Sequence, residues 1–128
     1  RGDDGLDEIT LATTTSVLSI GNAEIKSDRI DAKDFGMQNA PIEAIVGGDA
    51  AENARISRAI FAGERGAPRD AVLLNAAAAI AASEGDMQSD VKERLTLGLE
   101  RAVRAVDSGA ALALLDKWAA LTQEISAS

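Results

Sequence analysis

The chain has 128 residues, enough for one modest hydrophobic core and too few for two good ones, so a single domain or part of one is expected. Its 21 acidic and 13 basic side chains give a net charge of -8 with no basic cluster longer than a pair, which argues against a nucleic-acid partner; a phosphate-bearing ligand would then need a metal. Cys and His are both absent, which removes disulfides, thiol nucleophiles, thiolate and imidazole metal sites and any catalytic triad. No signal peptide or membrane span is evident, so a cytoplasmic protein with no membrane partner is the default expectation. The chain begins at Arg1 rather than an initiator Met, and is expected to be either processed or the later part of something longer.

Residues 1–8 contain two Gly and four carboxylates and read as an irregular loop. In a strand Asp7 and Glu8 would point to opposite faces, whereas on a turn both can converge on one hard cation. Mg²⁺ takes one or two protein carboxylates and leaves its other positions to water and phosphate, so this pair is a sufficient half-site; a solvated acidic turn is the plainer alternative. Two strand-like runs follow, Thr13–Ile20 and Ala23–Ile30, separated by Gly21-Asn22, a signal for a tight two-residue hairpin. The second run alternates Ile25, Ser27 and Arg29 with Glu24, Lys26 and Asp28, which suits a sheet edge with a wet side.

Residues 31–48 are expected to be loop with one short helical insert opening at Pro41. Asp34-Phe35-Gly36 punctuates it and carries no kinase meaning, because no glycine-rich loop, catalytic-loop Asp or strand Lys accompanies it. A helix is predicted over Ala50–Ala62, with Asp49 as N-cap and Glu52 completing a capping box; Gly47-Gly48-Asp49 reads as a plain cap rather than an anion cradle.

The stretch from Asp70 to Ala82 has only Asn75 as a polar interruption. It predicts a helix apolar on every face, hence enclosed by other elements, with Val72, Leu73, Leu74 and Ile80 buried and its Ala side chains letting neighbouring backbones approach. Asn75 is expected to bond the backbone of a neighbouring loop, a polar pocket being the functional alternative. Two further helices are predicted as covering layers. The first, from Ser89 to Val106, has Val91, Leu95, Leu99, Ala102 and Val106 inward and Glu93, Arg94, Glu100, Arg101 and Arg104 wet. The second follows an N-cap at Ser108 and has Ala111, Leu114, Leu115, Trp118, Leu121 and Ile125 as its apolar side.

Together, Gly2-Asp-Asp-Gly-Leu-Asp-Glu8, Asp34-Phe-Gly36, Gly47-Gly-Asp-Ala-Ala-Glu-Asn-Ala54, Arg69-Asp-Ala-Val-Leu-Leu-Asn-Ala-Ala-Ala78 and Asp107-Ser-Gly-Ala-Ala111 resemble anthranilate phosphoribosyltransferase in order and spacing. The resemblance covers nearly all of the chain and corresponds to the C-terminal portion of that family's sequence. It implies an α/β fold, with residues 1–128 as the end of a catalytic α/β domain of the type shared by phosphoribosyltransferases and nucleoside phosphorylases: a β-hairpin followed mostly by helices. It also implies an enzyme of tryptophan biosynthesis that joins phosphoribosyl pyrophosphate to anthranilate, releases pyrophosphate, uses Mg²⁺ and forms a homodimer through helices absent from this chain. One motif carries over residue by residue: Asp7 and Glu8 match the family's Mg²⁺-binding pair. Arg1 stands where the family commonly has His, a departure that leaves the metal ligands untouched. No catalytic residue is assigned within this stretch, and the phosphate-gripping glycine-rich loop and anthranilate-positioning residues belong to the family's earlier half. The chain alone is therefore expected to be inactive. The competing readings are a paralogue on the same scaffold, such as a nucleoside phosphorylase or another phosphoribosyltransferase, and a non-catalytic helical interaction module.

Overall fold

The computed structural model describes residues 1–21, 23–85 and 89–127. A two-stranded antiparallel sheet, β1 (Thr15–Gly21) with β2 (Glu24–Ile30), leads into two short 3₁₀ turns at Ala32–Phe35 and Ile42–Ile45. Four helices follow: α1 (Ala50–Phe61), α2 (Ala67–Glu84), α3 (Val91–Asp107) and α4 (Ala110–Ser126). The hairpin turns one residue later than its dipeptide signal suggested. Gly21 pairs with Glu24, and Ala23 carries a positive φ of 61°; Asn22, the other half of the signal, lies outside the described residues. The expected single insert between residues 31 and 48 is two turns. Asp31 and Asp34 form a reciprocal capping box around the first, and Pro41 opens the second.

Helix α2 is the centre of the packing, and its inward stripe is Leu73, Leu74, Ala77 and Ala81. These residues divide the core between them. Leu74 packs with Leu11 and Ala32; Ala81 with Ile30, Val91 and Leu95; and Leu73 with Ala102 and Val106. α3 presents Val91, Leu95, Gly98, Ala102 and Val106, so Gly98 occupies the stripe while its neighbour Leu99 is only half-buried. The reason is the closeness of the helices: a Cβ on Gly98 would lie 3.1 Å from the Cα of Ala77 and closer still to its carbonyl oxygen. The Ala-rich surface of α2 does let a neighbouring backbone approach, and the residue that uses it is a glycine.

Several expectations need correction. α2 is not enclosed all round: Val72 is 39% exposed and Ile80 half-buried, because the packed elements lie on the side of Leu73, Leu74 and Ala77. α4 covers little. Leu114, Trp118, Leu121 and Ile125 are all more than half exposed, and the first three, with Phe61, line an open apolar groove of about 520 Å³. Ser108 is the C-cap of α3, and Gly109, in the left-handed conformation, is the N-cap of α4. Arg94 is half-buried rather than wet, donating from Nη2 to Ser19 Oγ at 2.9 Å across to β1. Asp49 caps α1 as expected, accepting from the Glu52 N–H, but the Glu52 carboxylate binds Arg55 instead of closing the capping box. The Gly48 N–H is taken by Asn53, which leaves this helix start as a plain cap.

The α2–α3 contact gives a direct test. Ala would ordinarily favour a helix over Gly by about 1 kcal/mol, yet here its methyl must push two backbones apart, and overpacking costs about 1–3 kcal/mol. Gly98→Ala is therefore expected to lower the midpoint of thermal unfolding, whereas a rise would show that the two helices have room between them.

Candidate functional site

The acidic loop is built onto β1. Ser16 N–H donates to Arg1 O (2.9 Å) and Asp3 N–H to Thr14 O (2.9 Å), so residues 1–3 run antiparallel to the start of that strand. Gly2 N–H then reaches Leu6 O (2.9 Å), and Gly5, at φ 101°, supplies the left-handed residue that a side chain would resist at this reversal. Beyond the turn, Ile9 is partly buried against the two core clusters that contain Leu74 and Ala81, and Thr10 and Leu11 are buried.

The four carboxylates of the loop have two different fates. Asp3 accepts from Thr14 Oγ1 and pairs with Arg29 at 2.7 Å. Asp4 accepts from Thr10 Oγ1 at 2.5 Å and from the Leu6 N–H at 3.1 Å. These partners hold both carboxyls below their ordinary value, chiefly the Thr14 hydroxyl and then Arg29 for Asp3, and the Thr10 hydroxyl for Asp4. Asp7 and Glu8, in contrast, are exposed, and neither forms a hydrogen bond or ion pair with the described residues. Two carboxylates fasten the loop and two stand at its crest with their oxygens uncommitted.

Asn75 fixes the far side of that crest. Its Oδ1 accepts from the Ile9 N–H (2.9 Å), and its Nδ2 donates to Ile9 O and to Ala71 O (3.0 Å each). Only this orientation of the amide satisfies all three contacts, since the reverse would set N–H against N–H and oxygen against oxygen. The expectation that Asn75 bonds a loop backbone is met, and the loop is the one that carries Asp7 and Glu8. The consequence for those two residues is not visible in the sequence, because 66 residues separate Ile9 from Asn75. Truncating the amide would leave a backbone donor and acceptor without partners, at a cost of about 1–3 kcal/mol each where buried. Beside the crest lies a groove of about 500 Å³ with Leu6, Ile42, Ile45, Val72 and Asn75 in its wall and Glu8 as its one charged lining residue.

Asp7 and Glu8 are hard oxygen donors and fit a hard divalent cation that takes one or two protein carboxylates and fills its remaining positions with water and phosphate oxygens. Among the described residues no group of three or more such ligands occurs. Asp34, of the Asp-Phe-Gly triplet, is used structurally: it caps the turn after β2 and pairs with Lys92 at 2.9 Å, which with the Asp31 N–H holds its carboxyl below the ordinary value. Among the described residues no helix is long and apolar enough to cross a membrane.

The chain matches the glycosyl transferase family, a/b domain, over residues 1–112 and belongs to it. Within that family it is similar to anthranilate phosphoribosyltransferases. The one from Rhodococcus jostii (strain RHA1) is 45% identical over 128 residues, 100% of this chain and 35% of that protein. The one from Thermobifida fusca (strain YX) is 48% identical over 123 residues, 96% of this chain and 35% of that protein. Among solved structures, anthranilate phosphoribosyltransferase from Saccharomyces cerevisiae in complex with PRPP and Mg superposes with a TM-score of 0.76 at 25% identity, covering 90% of this chain and 32% of that one. The chain thus spans about a third of the length of the relatives it matches, and the expected α/β class, a hairpin followed by helices, is the fold observed.

The fastening carboxylates predict an acid response. Groups whose folded pKa is depressed stabilise the fold above the unfolded value, here 3.8, and lose that contribution as the pH falls through the folded value. Denaturant midpoints measured from about pH 5 down to about pH 3 should fall more steeply for the unaltered protein than for Asp4→Asn, which has already lost the ionised partner of Thr10. Parallel pH profiles for the two would remove Asp4 from this role.

Proposed function

We propose that residues 1–128 are the C-terminal portion of the catalytic α/β domain of an anthranilate phosphoribosyltransferase, and that Asp7 and Glu8 are its Mg²⁺ ligands. The complete enzyme would move the phosphoribosyl group from phosphoribosyl pyrophosphate to anthranilate in tryptophan biosynthesis, acting in the cytoplasm as a homodimer. The observation that carries the reading is the separation of roles among the loop carboxylates. Asp3 and Asp4 are consumed in holding the turn, while Asp7 and Glu8 project from it with no partner among the described residues, on a chain 45% identical to a relative of that name.

When bound, Mg²⁺ would neutralise charge on the departing pyrophosphate. The residues of this chain restrain the backbone on either side of the pair, Gly2 and Asp4 at Leu6 and Asn75 at Ile9. Such chemistry needs no Cys or His nucleophile, and this chain has neither. A nucleoside phosphorylase on the same scaffold is separated by offering the complete protein anthranilate with phosphoribosyl pyrophosphate on one hand and nucleosides with phosphate on the other.

Replacing Asp7 and Glu8 together by Asn and Gln in the complete enzyme is expected to lower turnover at limiting Mg²⁺ by more than tenfold, which is about 1.4 kcal/mol or more of transition-state stabilisation. Unchanged turnover under those conditions would remove the pair from the metal site.

A further inference from the structure

We propose that Asn75 is a positioning residue for the metal: its side chain sets where the Asp7–Glu8 pair stands by gripping the backbone of the next residue, Ile9. The proposal rests on the reading of Asp7 and Glu8 as the Mg²⁺ ligands given above.

Glu8 is joined by one peptide bond to Ile9, and Asn75 engages both the N–H and the carbonyl of Ile9, at 2.9 and 3.0 Å. One side chain holding both backbone groups of a residue restrains its position and its rotation, which a single hydrogen bond would not. The third contact, from Nδ2 to Ala71 O at 3.0 Å, fixes the amide on its own helix, so the grip moves only if α2 moves. α2 is held by Leu73, Leu74 and Ala77, each at most 3% exposed. On the near side of the crest, Leu6 is restrained through Gly2 and Asp4. The two candidate ligands are therefore the only residues between two fixed points, and Asn75 makes the second of them.

Ile9 is also packed against the two core clusters that contain Leu74 and Ala81, so loss of the Asn75 amide should release the orientation of Glu8 without releasing the loop from the core. Partners that orient metal ligands from behind are commonly worth tenfold or more in metal affinity. A residue needed only for folding would show a different signature, lowering activity at every metal concentration.

The test uses the complete enzyme, with Mn²⁺ titrated in the presence of inorganic pyrophosphate and bound ion read by electron paramagnetic resonance. Asn75→Leu keeps the volume and loses all three hydrogen bonds; Asn75→Asp keeps an acceptor for the Ile9 N–H and loses both donations. Roughly tenfold weaker Mn²⁺ binding is expected for Asn75→Leu and a smaller loss for Asn75→Asp, with activity of both recovering at saturating Mg²⁺. Leu73→Ala, a core change in the same helix, should lower the unfolding temperature and leave Mn²⁺ binding alone. Should Asn75→Leu fail to fold, the Asn75→Asp titration decides alone. Unchanged Mn²⁺ binding in the Asn75 variants, with Asp7→Asn/Glu8→Gln losing it, would overturn the role of Asn75 and leave the metal assignment standing. Equal weakening in Leu73→Ala, or lost activity that excess Mg²⁺ does not restore, would also overturn it. Unchanged binding in Asp7→Asn/Glu8→Gln would instead overturn the metal assignment and this inference with it.

Discussion

The rest of the structure depends on the approach of α3 to α2 at Gly98 and Ala77. With no Cβ on one side and a single methyl on the other, the two helix backbones meet closely, and that contact fixes the rotation of α2 about its axis. Ala77 faces α3. Asn75, two residues earlier and about 200° around the helix, faces the opposite side, where the acidic loop lies. A side chain at Gly98 that forced α2 to turn would therefore carry Asn75 away from Ile9, and the crest of the loop with it, whereas a cavity at Leu73 removes atoms and leaves the Gly98–Ala77 approach in place. Core packing and candidate site are coupled through one helix.

Electrostatics act on the same loop at a second level. Four carboxylates within a short stretch repel one another, and the chain already carries -8 overall. The loop reduces that repulsion by satisfying Asp3 and Asp4 with Thr14, Arg29, Thr10 and the Leu6 N–H. Asp7 and Glu8 keep their charge facing solvent beside an apolar groove. A divalent cation at the crest would relieve what repulsion remains, so the local field favours the occupant proposed for it.

How much of this was legible in the sequence varied with the range of the interaction that decided it. Asp49 before α1 and the Ala-rich run of α2 depend on neighbours within a few residues, and both were readable. The general role of Asn75 was readable too, since an amide in an apolar run must find partners; that its partner would be Ile9 required the fold. Gly98 was passed over because a mid-helix glycine carries no periodic signal, although in an otherwise amphipathic helix it can mark a close approach. Ser108 looked like an N-cap by residue type, but α3 runs one residue further than its stripe and leaves Ser108 as its C-cap. The apolar side of α4 and Val72 were expected inside because apolar spacing shows which face is available for burial and not what lies against it. Leu114 and Trp118, at 68% and 64% exposed, mark that distinction most sharply.

The central claim is that the acidic crest is held by the α2 core through Asn75, and native-state hydrogen exchange at single residues of the complete protein tests it most directly. The Ile9 amide, donating to Asn75 Oδ1, should exchange slowly and together with the amides of Leu74 and Ala77, whereas the Glu8 amide one position earlier should exchange as an open loop does. An Ile9 amide that exchanges as fast as Glu8 while α2 stays protected would contradict the account, because the crest would then move independently of the helix said to place it.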